Sequence, residues 1–110
     1  MKSFDSTRMW WNWGKDKTEI LKTLKGKAGI YMLLCNTTNK CCIGSSLELR
    51  KRIRTYYSVA IRKTEDRLLH KAINKYGENH FSLIILEFCS VDTITLLEKE
   101  QVALNIWKPQ

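Results

Sequence analysis

At 110 residues, the chain is long enough for one domain with a modest core and too short for two. It lacks the run of roughly 20 apolar residues that a membrane-spanning helix needs, and neither a signal-peptide pattern nor a CxxC pair accompanies its four cysteines. These features predict an intracellular, non-membrane protein with reduced thiols, and the net charge of +8 favours a polyanionic partner.

The first 26 residues are predicted to form an N-terminal extension, disordered in part or packed at the periphery of the domain. The tryptophan-rich stretch at 9–13 has an alternative role, because aromatic rings of this kind stack on nucleic-acid bases. Residues 16–24 have the apolar spacing of a short amphipathic helix that leads into the next element.

Two apolar runs, residues 28–35 and 40–44, flank the polar stretch 36–39 and predict a β-hairpin with a four-residue turn. This turn pairs Cys35 with Lys40. That pair fixes the partners of all later residues, since a loop one residue longer or shorter would move every side chain to the opposite face.

The same register places Leu33 opposite Cys42 and Tyr31 opposite Gly44. Tyr31 and Cys42 then share one face as diagonal neighbours, roughly 7 Å apart. Gly44 has no side chain and leaves space beside the Tyr31 ring. Ordinary strand packing is the alternative for Tyr31, but its position beside a glycine and Cys42 favours a catalytic role.

A first helix is expected over residues 47–58, because Ser45 and Glu48 have the spacing of a capping box and apolar residues follow at helical intervals. Arg52 lies beside the apolar stripe of this helix, so its guanidinium can reach toward the sheet. A planar, permanently charged fork in that place suits a phosphate. The alternative is a surface arginine that lies over its own helix.

A second helix is expected to begin at Thr64, as its cap, and to end at Gly77, which supplies a left-handed stop. The strand over 81–88 is apolar on both faces and is predicted to be central in the sheet. His70 and His80 are interpreted as boundary residues rather than as bases or ligands.

Basic residues concentrate between positions 47 and 76, where nine lysines and arginines accompany three acidic residues. This concentration indicates nucleic acid as the partner. The arginines just after the hairpin are predicted to contact phosphate: Arg50, Arg52 and Arg54. The basic residues on the second helix are interpreted as a solvated face: Arg67, Lys71 and Lys75.

A last helix is expected over residues 91–107, and one of its carboxylates lies on the apolar face, where an unpaired charge is energetically unfavourable. At about 100° per residue, Glu100 falls within the apolar stripe, whereas Glu98 falls on the polar side. A carboxylate aimed at the interior needs a cation or a metal ion as its partner. Glu100 is therefore either the partner of Arg52 in a buried ion pair or, as favoured here, a metal ligand at the edge of the sheet.

Six motifs in this order and spacing resemble the GIY-YIG nuclease domain found in intron-encoded homing endonucleases. They are Gly29-Ile30-Tyr31, Ile43-Gly44-Ser45-Ser46, Leu49-x-x-Arg52, Ala72-Ile73-x-Lys75-Tyr76-Gly77, the strand from Phe81 to Glu87, and Glu100-Gln101 followed by Pro109. The resemblance covers residues 27–110. It implies an α+β fold with a small three-stranded antiparallel sheet flanked by three helices.

The resemblance also implies a DNA endonuclease that hydrolyses phosphodiester bonds with a single divalent ion, Mg²⁺ or Mn²⁺. Glu100 would hold the ion and Arg52 would clamp the phosphate. Tyr31 would act as general base or orient the water, with a nearby cation to favour its phenolate, and Cys42 stands where the family usually has a second tyrosine. These side chains would converge on one face of the sheet, within roughly 10 Å of one another. Further candidates for DNA contact are Lys40, Ser45, Ser46, Arg50, Arg54 and Tyr56.

Departures from the family pattern leave alternatives open. Cys42 lacks the tyrosine hydroxyl, the family's closing asparagine would lie just beyond Pro109, and no sequence-specific DNA-binding region follows. A fragment, a decayed reading frame and a stand-alone domain all agree with this pattern.

The chain is expected to be a monomeric nuclease, mitochondrial if organelle-encoded. The alternatives are a catalytically inactive nucleic-acid-binding remnant and an interaction module, and a less favoured zinc site would use Cys35, Cys41, Cys42 and Cys89.

Overall fold

The computed structural model describes residues 9–64, 68–89 and 93–107. Its strands are β1 (Met9–Trp10), β2 (Ala28–Cys35), β3 (Cys41–Ser46) and β4 (Phe81–Cys89). Its helices are α1 (Lys17–Thr23), α2 (Leu49–Tyr57), α3 (Val59–Thr64), α4 (Leu68–Tyr76) and α5 (Thr93–Trp107), with a 3₁₀ turn at Glu78–His80. The predicted first residues of the last helix, 91 and 92, and Arg67 and Pro109 lie outside the described residues.

The sheet is antiparallel and has four strands in the order β1-β4-β2-β3. The predicted α+β class is confirmed, and β4 lies in the interior of the sheet as expected. The predicted numbers of three strands and three helices were wrong, since the described part of the chain already has four strands and five helices. The unforeseen elements are short: β1 has two residues and α3 has six, too few to show a periodic pattern.

Side chains alternate across β2, so the sheet has two different faces. On the first face, Tyr31, Leu33 and Cys35 join a core formed with α1, α2 and α4. On the second face, Ile30 and Met32 pack with residues of β3, β4 and helix α5. We call these the α2 face and the α5 face.

The segment before β2 is part of the main core. Trp13 is fully buried, its ring stacks on that of Tyr57 at a centroid distance of 4.1 Å, and its backbone N–H donates to Phe81 O over 2.8 Å. Tyr57 Oη in turn donates to Trp13 O over 2.6 Å. Disorder or peripheral packing was therefore the wrong expectation for this part of the extension, because an indole ring buries a large apolar area. The division of the chain at residue 27 stays a prediction.

One of the nine basic residues counted from the sequence has a structural role. Arg62 is buried, and its Nη1 atom lies 2.8 Å from Glu78 Oε2 and donates to Tyr56 O over 2.7 Å. Its Nε atom donates to Asn74 Oδ1 over 3.0 Å. Arg62 thus connects α3 with α2, α4 and the 3₁₀ turn. Its guanidinium binds groups within the protein rather than nucleic acid. No helix in the described residues is long and apolar enough to cross a membrane.

Candidate active site

The predicted hairpin register is confirmed. Tyr31 pairs with Gly44 and Leu33 with Cys42, and Cys35 N–H donates to Lys40 O over 2.9 Å. The Tyr31 ring occupies the space that the missing side chain of Gly44 leaves, because a Cβ built on Gly44 would lie 2.5 Å from Tyr31 Oη. Any larger residue at position 44 would displace the ring.

Tyr31 is buried on the α2 face and forms a hydroxyl pair with Tyr56. The two Oη atoms lie 2.7 Å apart, and the ring centroids lie 6.1 Å apart. Burial and the adjacent Tyr56 hydroxyl raise the pKa of Tyr31, and they outweigh the opposite influence of Arg52. The neutral phenol is therefore favoured, and Arg52 alone does not produce the phenolate that a general base needs.

Arg52 lies on α2 beside this hydroxyl pair. Arg52 is an exposed residue. Its partial desolvation would lower its pKa, but this effect is outweighed by Tyr31 and Tyr56, whose oxygens raise the pKa of the guanidinium. It lines a cleft of about 370 Å³ together with Ser46 and His70. The structure thus brings together Tyr31 and Arg52, as predicted, and adds Tyr56 as their common neighbour.

His70 belongs to this cleft, although the sequence placed it at a boundary. It is buried at 1% exposure, and its ring meets that of Tyr56 edge-on at a centroid distance of 5.7 Å. The signal that could have shown this position is its spacing, since His70 precedes the buried Ile73 by three residues and shares its helix face.

Glu100 is half-buried on α5 and accepts a hydrogen bond from Ser45 Oγ of β3. Among the described residues the ion pairs are Arg62–Glu78 and Lys99–Glu87, so the alternative pairing of Glu100 with Arg52 is not formed. Glu98 is exposed, in agreement with the helical-wheel argument. Glu100 thus faces the sheet but is only half-buried, and its protein partner is a hydroxyl rather than a guanidinium.

The bond from Ser45 to Glu100 also corrects the predicted capping box. Helix α2 begins at Leu49, and its N-cap residue Glu48 makes no side-chain capping bond. Instead, Ser46 Oγ accepts the Glu48 N–H over 3.0 Å. The spacing of Ser45 and Glu48 wrongly predicted a capping box, because Ser45 still belongs to β3, where its side chain points to the α5 face.

The expected convergence on one face of the sheet was wrong. Tyr31 and Arg52 belong to the α2 face, whereas Glu100 comes from the helix that packs on the other face. The groups meet instead at the outer strand β3, where Tyr31 lies over Gly44 on one side and Glu100 binds the next residue, Ser45, on the other. Because β3 is the last strand of the sheet that the structure describes, no further described strand covers this edge.

The other candidate residues are more dispersed. Arg50 and Arg54 lie four positions apart on one side of α2, roughly 200° around the helix from Arg52, and Arg54 is exposed. Lys40 is exposed beyond the opposite end of β3, four positions from Gly44, which is roughly 13 Å along a strand. It therefore lies too far from Tyr31 to favour its phenolate. Cys42 faces the same side as Tyr31, and its position near that hydroxyl contributes to the raised pKa of Tyr31.

Comparisons with known proteins agree with this geometry. A family model described as the GIY-YIG catalytic domain matches residues 27–106. A solved mutant of the catalytic domain of intron endonuclease I-TevI superimposes with a TM-score of 0.60 and 26% identity, over 72% of this chain and 81% of that chain. A second structure, of the catalytic domain of the homing endonuclease I-TevI, has a TM-score of 0.59 over 72% of this chain and 86% of that one, and at 24% identity it shows the fold alone. Because the family model spans most of the chain, this protein belongs to the GIY-YIG family of nuclease domains.

Proposed function

We propose that the chain is a metal-dependent endonuclease that hydrolyses phosphodiester bonds in DNA. The observation that carries this proposal is the placement of Tyr31 and Glu100 on the two sides of one edge strand, at neighbouring residues. Adjacent Cα atoms are about 3.8 Å apart, so a phosphate bound along the edge of β3 can contact groups from both sides. The hydroxyl pair and Arg52 approach this edge from the α2 face.

The residues present fit a hard divalent ion. Glu100 offers a half-buried carboxylate, held through one oxygen by Ser45. Within the described ranges, no group of three His, Cys, Asp or Glu side chains could form a closed cage. A single carboxylate, completed by water and the substrate phosphate, is a site type that suits Mg²⁺. When bound, the ion would stabilise negative charge on the phosphate.

Arg52 is proposed to clamp the reacting phosphate. Its planar fork can donate two parallel hydrogen bonds to phosphate oxygens, and the Tyr31 and Tyr56 hydroxyls lie beside it. Tyr31 is proposed to act as a neutral hydrogen-bonding group that orients the attacking water or the phosphate. This role agrees with its raised pKa, whereas the role of general base does not.

A second candidate function is a catalytically inactive, DNA-binding remnant of the same fold. Two observations favour it: Cys42 lacks the hydroxyl that the family usually has there, and the buried hydroxyl pair disfavours the Tyr31 phenolate. Both observations concern the proton and water arrangement, and neither affects the phosphate clamp. The two functions therefore differ in cleavage and agree in binding.

Nicking of supercoiled plasmid separates these functions. The parent chain should convert supercoiled to open-circular DNA with Mg²⁺ or Mn²⁺, and EDTA should stop the reaction. Retention of the plasmid without nicking would support the inactive remnant. A chain that neither nicks nor retains the plasmid would contradict both candidate functions. Nicking in EDTA would contradict the metal-dependent mechanism.

A further inference from the structure

A second concave surface adjoins the candidate active site. This groove has a volume of about 550 Å³ and lies between the outer strand β3 and helix α4. That volume falls within the roughly 300–1,000 Å³ of small-ligand sites. Its lining is largely apolar. Of its two aromatic residues, Phe81 is buried, and Tyr76 is half-buried with Lys75 Nζ 5.2 Å from its ring centroid. Cys42 also lines it, so the groove begins at the residue that shares the α2 face with Tyr31.

The rim of the groove is positively charged. Lys40, Lys71 and Lys75 all line it and are all exposed, and no carboxylate is among its described lining residues. An apolar floor with a cationic rim matches a ligand that has a flat apolar face and a negative charge. A nucleotide has both, because every base presents an apolar π-face and carries its phosphate at one end.

We propose that this groove receives one unpaired nucleotide of the DNA next to the cleavage site. The base would lie on the apolar floor, and its phosphate would lie at the lysine rim. The proposal rests on DNA as the substrate, and it deepens that function by naming a nucleotide subsite. The presence of cysteine at position 42 supports it, because the tyrosine usual in the family would extend into this volume.

A base that is already unpaired should bind more readily, because a paired base must first leave the stack. The chain should therefore prefer DNA with a single-nucleotide bulge over the same duplex fully paired. We expect about tenfold tighter binding to the bulged duplex, an order of magnitude in line with the contribution of one stacked base. A 2-aminopurine base at the bulge should change its fluorescence when the chain is added.

The test uses the full chain in EDTA, so that cleavage does not interfere, with affinity measured by fluorescence anisotropy. Ala72→Trp would fill the groove from α4, where Ala72 is half-buried. This change should abolish the preference for the bulged duplex and leave binding to the paired duplex unchanged. The matched control is Ala60→Trp on the exposed surface of α3, which should retain the preference.

A second variant guards against misfolding. Lys40→Glu changes an exposed rim residue and should reduce the preference about threefold with no change in the circular dichroism spectrum. Equal affinity of the parent for both duplexes, or an undiminished preference in Ala72→Trp, would overturn the subsite. A chain that nicks plasmid but shows no preference refutes only the subsite, whereas a preference without metal-dependent nicking refutes only the nuclease function.

Discussion

Glu100 is the residue on which the proposed metal site depends. Replacement by alanine should lower metal-dependent nicking by at least about 100-fold, the scale of losing one charge-stabilising group in a transition state. DNA retention should stay nearly unchanged, because basic side chains provide most of the affinity for phosphate. The control is Glu98→Ala, which removes an exposed carboxylate from the same helix. Equal activity in the Glu98 and Glu100 variants would exclude Glu100 as the metal ligand.

Ser45 is predicted to position the Glu100 carboxylate rather than to contact DNA. Loss of its hydroxyl in Ser45→Ala should weaken the activation by Mg²⁺ about tenfold, since groups that orient metal ligands typically contribute about 10- to 100-fold to affinity. Ser45→Thr keeps a hydroxyl and should recover most of that loss. The measurement is nicking rate against Mg²⁺ concentration. A change in the maximal rate alone, with the midpoint unaltered, would contradict a positioning role.

Cys42 is where the chain departs most clearly from its family. Loss of one positioning hydrogen bond in a transition state costs about 2 to 4 kcal/mol, or roughly 30- to 1,000-fold in rate. Cys42→Tyr should therefore raise cleavage of paired DNA, because the adjoining groove has room for the ring. Single-turnover rates of parent and variant on the same DNA test this. Two inactive proteins would favour the remnant, and an active parent slowed by the change would show that the thiol has its own role.

At the level of secondary-structure elements, the most accurate predictions were those of strand register and helix faces, which depend on the local spacing of residues. The four-residue turn determined the hairpin register, and with it the shared face of Tyr31 and Cys42. The helical repeat predicted that Glu100 lies on the inward face of α5. It could not predict on which face of the sheet α5 packs. That choice depends on how α5 packs on the sheet, about which a helical repeat carries no information.

The N-terminal segment shows the same limit, because a few tryptophans have no pattern that says where they pack. Trp13 is fully buried and Trp11 is 68% exposed, so the two residues form a matched pair. Trp13→Ala should lower the free energy of unfolding by about 3 to 5 kcal/mol, and Trp11→Ala should change it by less than about 0.5 kcal/mol. Urea denaturation measures both. A small effect of Trp13→Ala on the free energy of unfolding would show that this segment contributes little to the core.

At the level of the whole molecule, the two halves of the proposed site meet along one edge strand. The α5 face supplies the carboxylate, and the α2 face supplies the arginine and the hydroxyl pair. A sheet edge can present groups from both faces to one ligand, which a single face cannot do. The core that holds the α2 face in place is also rich in buried phenols, and this gives the fold a pH dependence that can be tested.

Burial is the largest influence that raises the pKa of both Tyr31 and Tyr57 above the ordinary value of 10.0. Above about pH 10 the unfolded chain releases these protons while the folded chain retains them, so the unfolded state binds fewer protons and stability falls as pH rises. Each tyrosine should lower the free energy of unfolding by about 0.7 kcal/mol per pH unit at about pH 10, and by close to 1.4 kcal/mol per pH unit at about pH 11. Urea denaturation between about pH 9 and pH 11 measures the slope. The double variant Tyr31→Phe, Tyr57→Phe should flatten it, and an unchanged slope would assign the alkaline loss of stability to other groups.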